Sequence, residues 1–213
     1  VERYHAMFGH NLISVSIHGD NNQMALIDPS DPDCLGSELG ADYCRQFGVK
    51  AWPSAVVDWA GDELGGSFGK WLSAIVADII HPTSLDLSAT ATYSPADNTY
   101  TVEARMRSTM AQTGSPRMMV WLTEDSIRAL QMLPGNGYDL NYVHNNVLRT
   151  ALTAPEGDKV EIPANLEQRE SVSGPGSSMW NPANMSAVVF VYTERKGVTA
   201  VVKVPVTITE NNN

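Results

Sequence analysis

The stretch Phe47-Gly-Val-Lys-Ala-Trp-Pro-Ser-Ala-Val-Val-Asp58 decides how the chain before residue 85 is interpreted. It contains an aromatic–Gly–Val turn, an aromatic–Pro–small step and a short apolar run that ends in Asp. Proline fixes its own φ angle and lacks an amide hydrogen, so Pro53 suits the beginning of a strand. We therefore predict a short buried strand at residues 54–59.

The residue order around Pro53 resembles the segment of thioredoxin-like domains that holds a cis-proline beside the active-site thiols. The resemblance implies a cis peptide bond between Trp52 and Pro53. An ordinary trans bond at the entrance to a buried strand is the alternative, because cis is the minority form even before proline.

The elements around this stretch fit the same fold. Apolar residues at helical spacing predict helices at residues 1–8, 37–47 and 68–79, the second capped by Ser37. Apolar and polar residues alternate at 11–18, which predicts a strand. The order helix–strand–helix–strand–helix is that of a thioredoxin-like α/β domain without its first strand and the start of its first helix.

The pattern changes after Pro82 to short alternating segments without a helix. They predict seven strands, at residues 85–93, 100–106, 117–123, 127–132, 142–152, 186–193 and 198–208. This number and length are typical of an immunoglobulin-like antiparallel β-sandwich. We predict an α+β protein of two domains: a truncated thioredoxin-like domain at 1–82 and an immunoglobulin-like sandwich at 83–213.

The composition excludes two classes of partner. The chain has 14 Lys+Arg and 24 Asp+Glu among 213 residues, a net charge of −10. Such a surface repels nucleic-acid phosphates and anionic lipid headgroups. No run of apolar residues is long enough to span a membrane, and the first residues do not form a signal peptide. We expect that a segment upstream of Val1 has been removed.

Two cysteines, Cys34 and Cys44, are too far apart in sequence for a Cys-x-x-Cys redox motif. A disulfide between them requires the chain to break near Gly36, because one continuous helix would hold their Cα atoms about 15 Å apart. The sequence leaves a disulfide and two buried thiols open as alternatives.

Two loops carry exposed candidates for ligand contact. Leu133-Pro-Gly-Asn-Gly-Tyr138 is a turn-rich tip, and the loop at 169–184 is rich in Ser, Gly and Pro but contains Met179 and Trp180. An aromatic residue on an uncharged loop is typical of an interface. The alternative is that Trp180 folds back onto its own domain.

No set of side chains predicts catalysis, a metal or a cofactor. His144 lies inside a predicted strand, where a hydrogen-bonded structural role is favoured. The Asp28-Pro-Ser-Asp-Pro-Asp33 loop lacks the glycine and the distant glutamate of a calcium loop, so it is predicted to be solvated. Glu124-Asp125 is predicted to form a turn, since adjacent strand residues point to opposite faces.

The second half contains two motifs, Trp121-Leu-Thr-Glu-Asp-Ser-Ile127 and Tyr142-Val-His-Asn-Asn-Val-Leu-Arg149. Together with Ile17-His-Gly-Asp20 and the 48–54 segment, they resemble the twenty-eight-kilodalton outer-membrane protein family of Bacteroidetes. The resemblance covers essentially the whole chain. It implies a lipid-anchored outer-membrane protein that is exposed at the cell surface and acts as an adhesin or receptor.

Our leading hypothesis is therefore a non-enzymatic surface binding protein. Its partner would be a host or neighbouring-cell surface protein, or another component of the outer membrane. The alternative is an extracytoplasmic thiol–disulfide oxidoreductase whose Cys-x-x-Cys pair lies upstream of Val1. A third possibility is an assembly module of the outer membrane.

Overall fold

The computed structural model describes residues 2–19, 28, 31, 33–59, 63–133, 135 and 137–210. The helices are α1 (Glu2–Phe8), α2 (Glu38–Gln46) and α3 (Phe68–Ile79), with short 3-10 helices at Gly9–Asn11 and Pro182–Asn184. The strands are β1 (Leu85–Ser94), β2 (Thr99–Ser108), β3 (Arg117–Glu124), β4 (Ile127–Leu133), β5 (Gly137–His144), β6 (Val147–Ala151), β7 (Asp158–Lys159), β8 (Glu167–Pro175), β9 (Met185–Thr193) and β10 (Gly197–Ile208).

Eight of the ten strands described form one curled β-sheet. Its strand order is β6-β3-β9-β10-β1-β2-β8, with β7 also paired to β3. β10 pairs with β9 and then, in parallel at its end, with β1, so it carries the chain from one half of the sheet to the other. Apolar side chains from the two halves meet inside the curl, among them Val102, Met106, Val120 and Val189.

The outer face of β3 and β9 is covered by the chain before residue 83. Trp59 lies at the centre of this contact, with its ring centroid 4.9–5.8 Å from those of five other aromatic rings. These rings belong to Tyr43, Phe47, Trp121, Phe190 and Tyr192. Because β9 is packed on both faces, all of its residues are buried.

The two strands predicted for the first 82 residues are wrong. Among the described residues, the segment 11–18 forms only one isolated parallel bridge, between Ser16 and Val147. This bridge lies on the edge of β6 that does not pair with β3. Residues 54–59 are irregular, and Asp58 and Trp59 both have left-handed backbone angles, with φ of 63° and 53°. This backbone turns the Trp59 ring onto the sheet instead of continuing as a strand.

The predicted helices 37–47 and 68–79 are confirmed as α2 and α3, and the Ser37 hydroxyl caps α2 by accepting the Gly40 N–H at 3.0 Å. Each predicted strand of the second half falls on an observed strand, except that Asn145 and Asn146 divide 142–152 between β5 and β6. The loop predicted at 169–184 is wrong in its first part, because residues 167–175 pair with β2 as β8. The boundary at 82–83 stays a prediction.

Candidate functional site

β4 and β5 leave the main sheet as a separate two-stranded hairpin, here called the arm (residues 127–144). Its strands continue the β3–β6 pair, because Glu124 pairs with Val147 and Ile127 with His144. Asp125-Ser126 and Asn145-Asn146 are the irregular residues that separate the arm from β3 and β6, whereas Glu124, predicted to lie in a turn, is the last residue of β3. We call the polar side chains around these residues the junction: Glu124, Asp125, Asn145, Asn146, Arg149 and Lys203.

A buried ion pair holds one side of the junction. Arg149 Nε donates to Glu124 Oε2 at 2.7 Å, and the two side chains are only 7% and 6% exposed. Glu124 Oε1 accepts the backbone N–H of Asn181 at 2.9 Å, and an Arg149 Nη1–H donates to the Cys34 carbonyl. The pair therefore ties the 176–184 loop and the N-terminal part of the chain to the base of the arm.

On the other side of the junction, Asp125 contacts Asn146 and Lys203. Its Oδ1 accepts the Asn146 N–H at 2.6 Å, and Lys203 Nζ lies 3.4 Å from Oδ2 and donates to Asn146 Oδ1 at 2.5 Å. The Asn145 side chain accepts the Ser126 N–H at 3.0 Å. Ser126 and Asn146 have φ of 66° and 58°, so these hydrogen bonds involve the N–H groups of two residues with left-handed backbone angles.

His18 and His144 contact each other beside the junction. The His18 and His144 rings are 5.7 Å apart in a T-shaped contact, and Tyr142 of the arm stacks edge-on against His144 at 4.8 Å. Burial, followed by His144 and Arg149, lowers the pKa of His18 to about 4. Burial also lowers the pKa of His144. Both rings are therefore neutral near pH 7, and the described residues contain no cluster of three metal ligands.

The arm exposes several large apolar side chains. Six of its large apolar residues are 37–72% exposed: Met132, Leu133, Tyr138, Leu140, Tyr142 and Val143. Arg128 and Asp139 are its only Lys, Arg, Asp or Glu residues, in a chain of net charge −10. The turn-rich tip predicted from the sequence lies at the end of this arm, although residues 134 and 136 fall outside the described residues.

Comparison with known families accounts for the motifs at the junction. The family model of the outer membrane protein Omp28 matches residues 41–210, which include the junction and the arm. The chain belongs to the Omp28 family. The family resemblance predicted from the sequence is confirmed, and this Omp28-family chain is an outer membrane protein.

Two solved structures from Porphyromonas gingivalis are similar to this Omp28-family chain. HBP35 gives a TM-score of 0.62 at 11% identity over 83% of this chain, which spans 60% of the length of HBP35. A domain of the outer membrane lipoprotein Omp28 gives 0.43 at 20% identity, over 62% of this chain and 94% of that one. The comparison with curated proteins found no match. Among the described residues, no helix is long and apolar enough to cross a membrane.

The remaining candidate residues of this Omp28-family chain do not converge on one site. The Trp52–Pro53 peptide bond is cis, and both residues are exposed. Trp180 is half-buried, with its ring 6.1 Å from that of Tyr100, so it packs on its own sheet. Contact of Met179 and Trp180 with a ligand stays a prediction.

Cys34 and Cys44 are thiols in this structure, and only Cys44 is buried, so Cys34 does not fit the alternative of two buried thiols. Cys34 Sγ accepts the Asp28 N–H at 3.2 Å and donates to the Gly36 carbonyl at 3.5 Å. Cys44 is buried in α2, where a Cβ on Gly19 would lie 2.8 Å from its Sγ. In the predicted acidic loop, residues 29, 30 and 32 lie outside the described residues.

Sequence reasoning missed a second pair of acidic residues. Burial, reinforced by the negative charge of Asp78 and a hydrogen bond that protonated Asp58 donates to it, raises the pKa of Asp58 to about 7. The Asp58 carbonyl accepts the Val198 N–H at 3.0 Å, which attaches this segment to β10. Asp58 and Asp78 lie 20 positions apart, so no local motif could have identified them as neighbours.

Proposed function

We propose that the chain is a non-catalytic binding protein of the outer-membrane surface, an adhesin or receptor, and that the arm is its contact region. The observation that carries this proposal is the exposure of six large apolar residues on one two-stranded hairpin. Met132 and Tyr138 pair across the hairpin and form exposed apolar surface on one of its faces. Such surface is typical of interaction sites, and Tyr and Met are enriched at the centres of interfaces.

The junction supports the proposal because it fixes the direction of the arm. A two-stranded hairpin in water is marginally stable on its own. Here its base is held by the Glu124–Arg149 pair and by Asp125 with Lys203. The family motifs therefore have a structural role, because their side chains fix the base of the arm. A fixed arm loses less conformational entropy on binding than a mobile one.

The test is binding of the purified, labelled chain to host epithelial cells and to neighbouring bacterial cells. Met132 and Tyr138 pair across the arm, so the double variant Met132→Ser/Tyr138→Ser removes apolar surface from both strands. We expect it to lower binding at least about tenfold, while Leu166→Ser, at an exposed leucine outside the arm, has no effect. Unchanged binding by the arm variant would exclude the arm. Trp180→Ala tests the 176–184 loop in the same assay.

The absence of catalysis is part of the proposal and has its own assay. Reduction of a protein disulfide is measured with this chain and with a precursor that carries its native upstream residues. We expect both to be inactive, and activity of the precursor alone would favour the oxidoreductase alternative. Incorporation of labelled fatty acid into the precursor tests the lipid anchor that the sequence resemblance implies.

The described part of residues 1–82 contains three helices in the predicted order, although neither predicted strand forms between them. We infer from this order that they are the remnant of a thioredoxin-like domain docked on an immunoglobulin-like sandwich. The structure of a longer chain tests the inference, because a thioredoxin-like domain needs a central sheet and the described residues before 83 form none.

A further inference from the structure

α3 is attached to the rest of the chain along one narrow face. Only Trp71 and Ile75 of its twelve residues are buried, and the half-buried Asp78 lies on the same face one turn further on. Outside this face, Val76 and Ile79 are 43% and 36% exposed. A helix with so little buried surface is expected to open more easily than the core strands.

Hydrogen bonds join α3 to distant segments at both of its ends. In the first turn, the Tyr4 hydroxyl donates to the Phe68 carbonyl at 2.7 Å. In the last turn, protonated Asp58 donates to the Asp78 carboxylate. In the part of the chain that the structure describes, residues 72–80 form no other hydrogen bond to a distant segment. The end of α3 therefore depends on the contact between two carboxyl groups.

Asp58 is the fixed member of this pair. Its carbonyl accepts the Val198 N–H at 3.0 Å, which holds it at the start of β10. Its carboxylate lies against Gly197, where a Cβ would overlap one of the carboxylate oxygens. Because Asp58 is confined by the sheet and α3 is weakly held, any repulsion between the two acids should displace the helix.

We propose that a proton shared by Asp58 and Asp78 holds the end of α3 in place, and that loss of this proton near neutral pH releases it. Two carboxylates in contact repel each other, so the pair keeps one proton while it is closed. Burial and the charge of Asp78 raise the pKa of Asp58 to about 7, against an ordinary value of 3.8. Release moves the two charges apart and into water, so the closed state loses stability as pH rises from about 4 to 7.

The other titratable groups around the pair do not take the place of the proton. Tyr43 and Tyr192 contact Trp59, and burial raises the pKa of both tyrosines, so neither is charged near pH 7. The charged or titratable residues of the remaining neighbouring segments are Asp62, Glu63, Lys70, His81, Glu194, Arg195 and Lys196. Asp62 lies outside the described residues, and within them no cation forms an ion pair with Asp58 or Asp78.

The test is hydrogen exchange at pH 5 and pH 8, expressed as protection factors, which remove the intrinsic effect of pH on exchange. We expect the amides of residues 72–79 to be less protected than those of β9 at both pH values, because α3 opens locally. Their protection should fall roughly 100-fold from pH 5 to pH 8, since the closed pair loses its proton near pH 7 and the open pair near pH 4.

Three variants separate the acid pair from other causes. Asp78→Asn removes the repulsion, and its amide can donate to the Asp58 carboxylate, so α3 should be equally protected at pH 5 and pH 8. Asp97→Asn, at an exposed acid in the β1–β2 turn, should keep the dependence of the wild type. His81→Gln should also keep it, although histidine is the residue type that ordinarily titrates near neutral pH.

Three outcomes would overturn the inference. The first is protection of α3 that is the same at pH 5 and pH 8 in the wild type, or that still falls in Asp78→Asn. The second is protection in α3 equal to that in β9, because the helix would then open only when the whole chain unfolds. The third is loss of the dependence in His81→Gln, which would assign it to the histidine instead of the acid pair.

Discussion

At the scale of single residues, the Glu124–Arg149 ion pair is the interaction whose loss we expect to cost the most stability. Both side chains are almost fully buried, and removal of one partner leaves the other charge desolvated. We predict that Arg149→Met lowers the free energy of unfolding by about 3–5 kcal/mol. Adding Glu124→Gln to this variant should restore part of the loss, as urea denaturation can measure.

The chain provides a matched control for this pair. Arg169 and Glu167 also form an ion pair, but their side chains are 63% and 43% exposed. Arg169→Met should change stability by less than about 1 kcal/mol, since exposed pairs contribute little. If both arginine substitutions had the same small effect, the junction would not be the anchor of the arm.

Asp58 makes stability depend on pH. Its pKa is about 7 in the folded protein and 3.8 as the ordinary value, so the folded state holds a proton that the unfolded state has released. Stability should therefore fall as pH rises from about 4 to 7, and the loss should be complete above pH 7. Asp58→Asn removes this loss, so we predict a more stable variant at pH 8.

The test is the difference in the free energy of unfolding between Asp58→Asn and the wild type, which we expect to change with pH. Asp and Asn both tolerate the left-handed backbone at this position, so the remaining effect of the amide on stability is independent of pH. Near pH 3 the wild type is mostly protonated at Asp58 in both states, and only that constant difference should remain. Urea denaturation at pH 3 and pH 8 measures both quantities, and an equal difference at the two values contradicts the prediction.

At the scale of elements, the strands that could be predicted are those whose apolar pattern matches their burial. β9 is a continuous apolar run buried on both faces, and β1 and β2 alternate. β8 was missed because its residues are mostly polar and exposed, and only its hydrogen bonds to β2 make it a strand. Such pairing is decided by another part of the chain, so the local sequence carries little signal of it.

The strands predicted at 11–18 and 54–59 are wrong for the opposite reason, because an apolar pattern is present there and strand pairing is not. Ile13, Val15 and Ile17 alternate as a strand would, and they do pack on the outer face of β3 and β9. Only Ser16 in this segment forms a ladder contact, so the same burial arises without a sheet. Apolar alternation reports which residues are buried, but it does not report whether the backbone finds a hydrogen-bonding partner.

At the scale of the whole molecule, the functional motifs could be located in the sequence but not interpreted. Glu124-Asp125 and residues 144–149 lie inside two of the motifs that carry the family resemblance. Their role became visible only where β3, β6 and β10 bring Glu124, Arg149 and Lys203 together. The separation of the arm from the main sheet was also not predictable, because 142–152 is one uninterrupted strand pattern.

The aromatic cluster around Trp59 predicts how the whole molecule unfolds. The cluster joins α2 to β3 and β9, so residues before 83 cannot lose their packing without exposing the outer face of the sheet. We therefore predict one calorimetric transition for the wild type, with equal calorimetric and van't Hoff enthalpies. Trp59→Ala should cost about 3–5 kcal/mol and release protection against hydrogen exchange in α2 while β9 keeps it.

Trp52→Ala is the matched control, because Trp52 is 39% exposed and has no part in the cluster. It should change stability by less than about 0.5 kcal/mol, as surface substitutions usually do. Two separate transitions in the wild type would show instead that the chain before and after residue 82 folds as two independent domains. The aromatic cluster would then be a contact between domains, and Trp59→Ala should lower only the earlier transition.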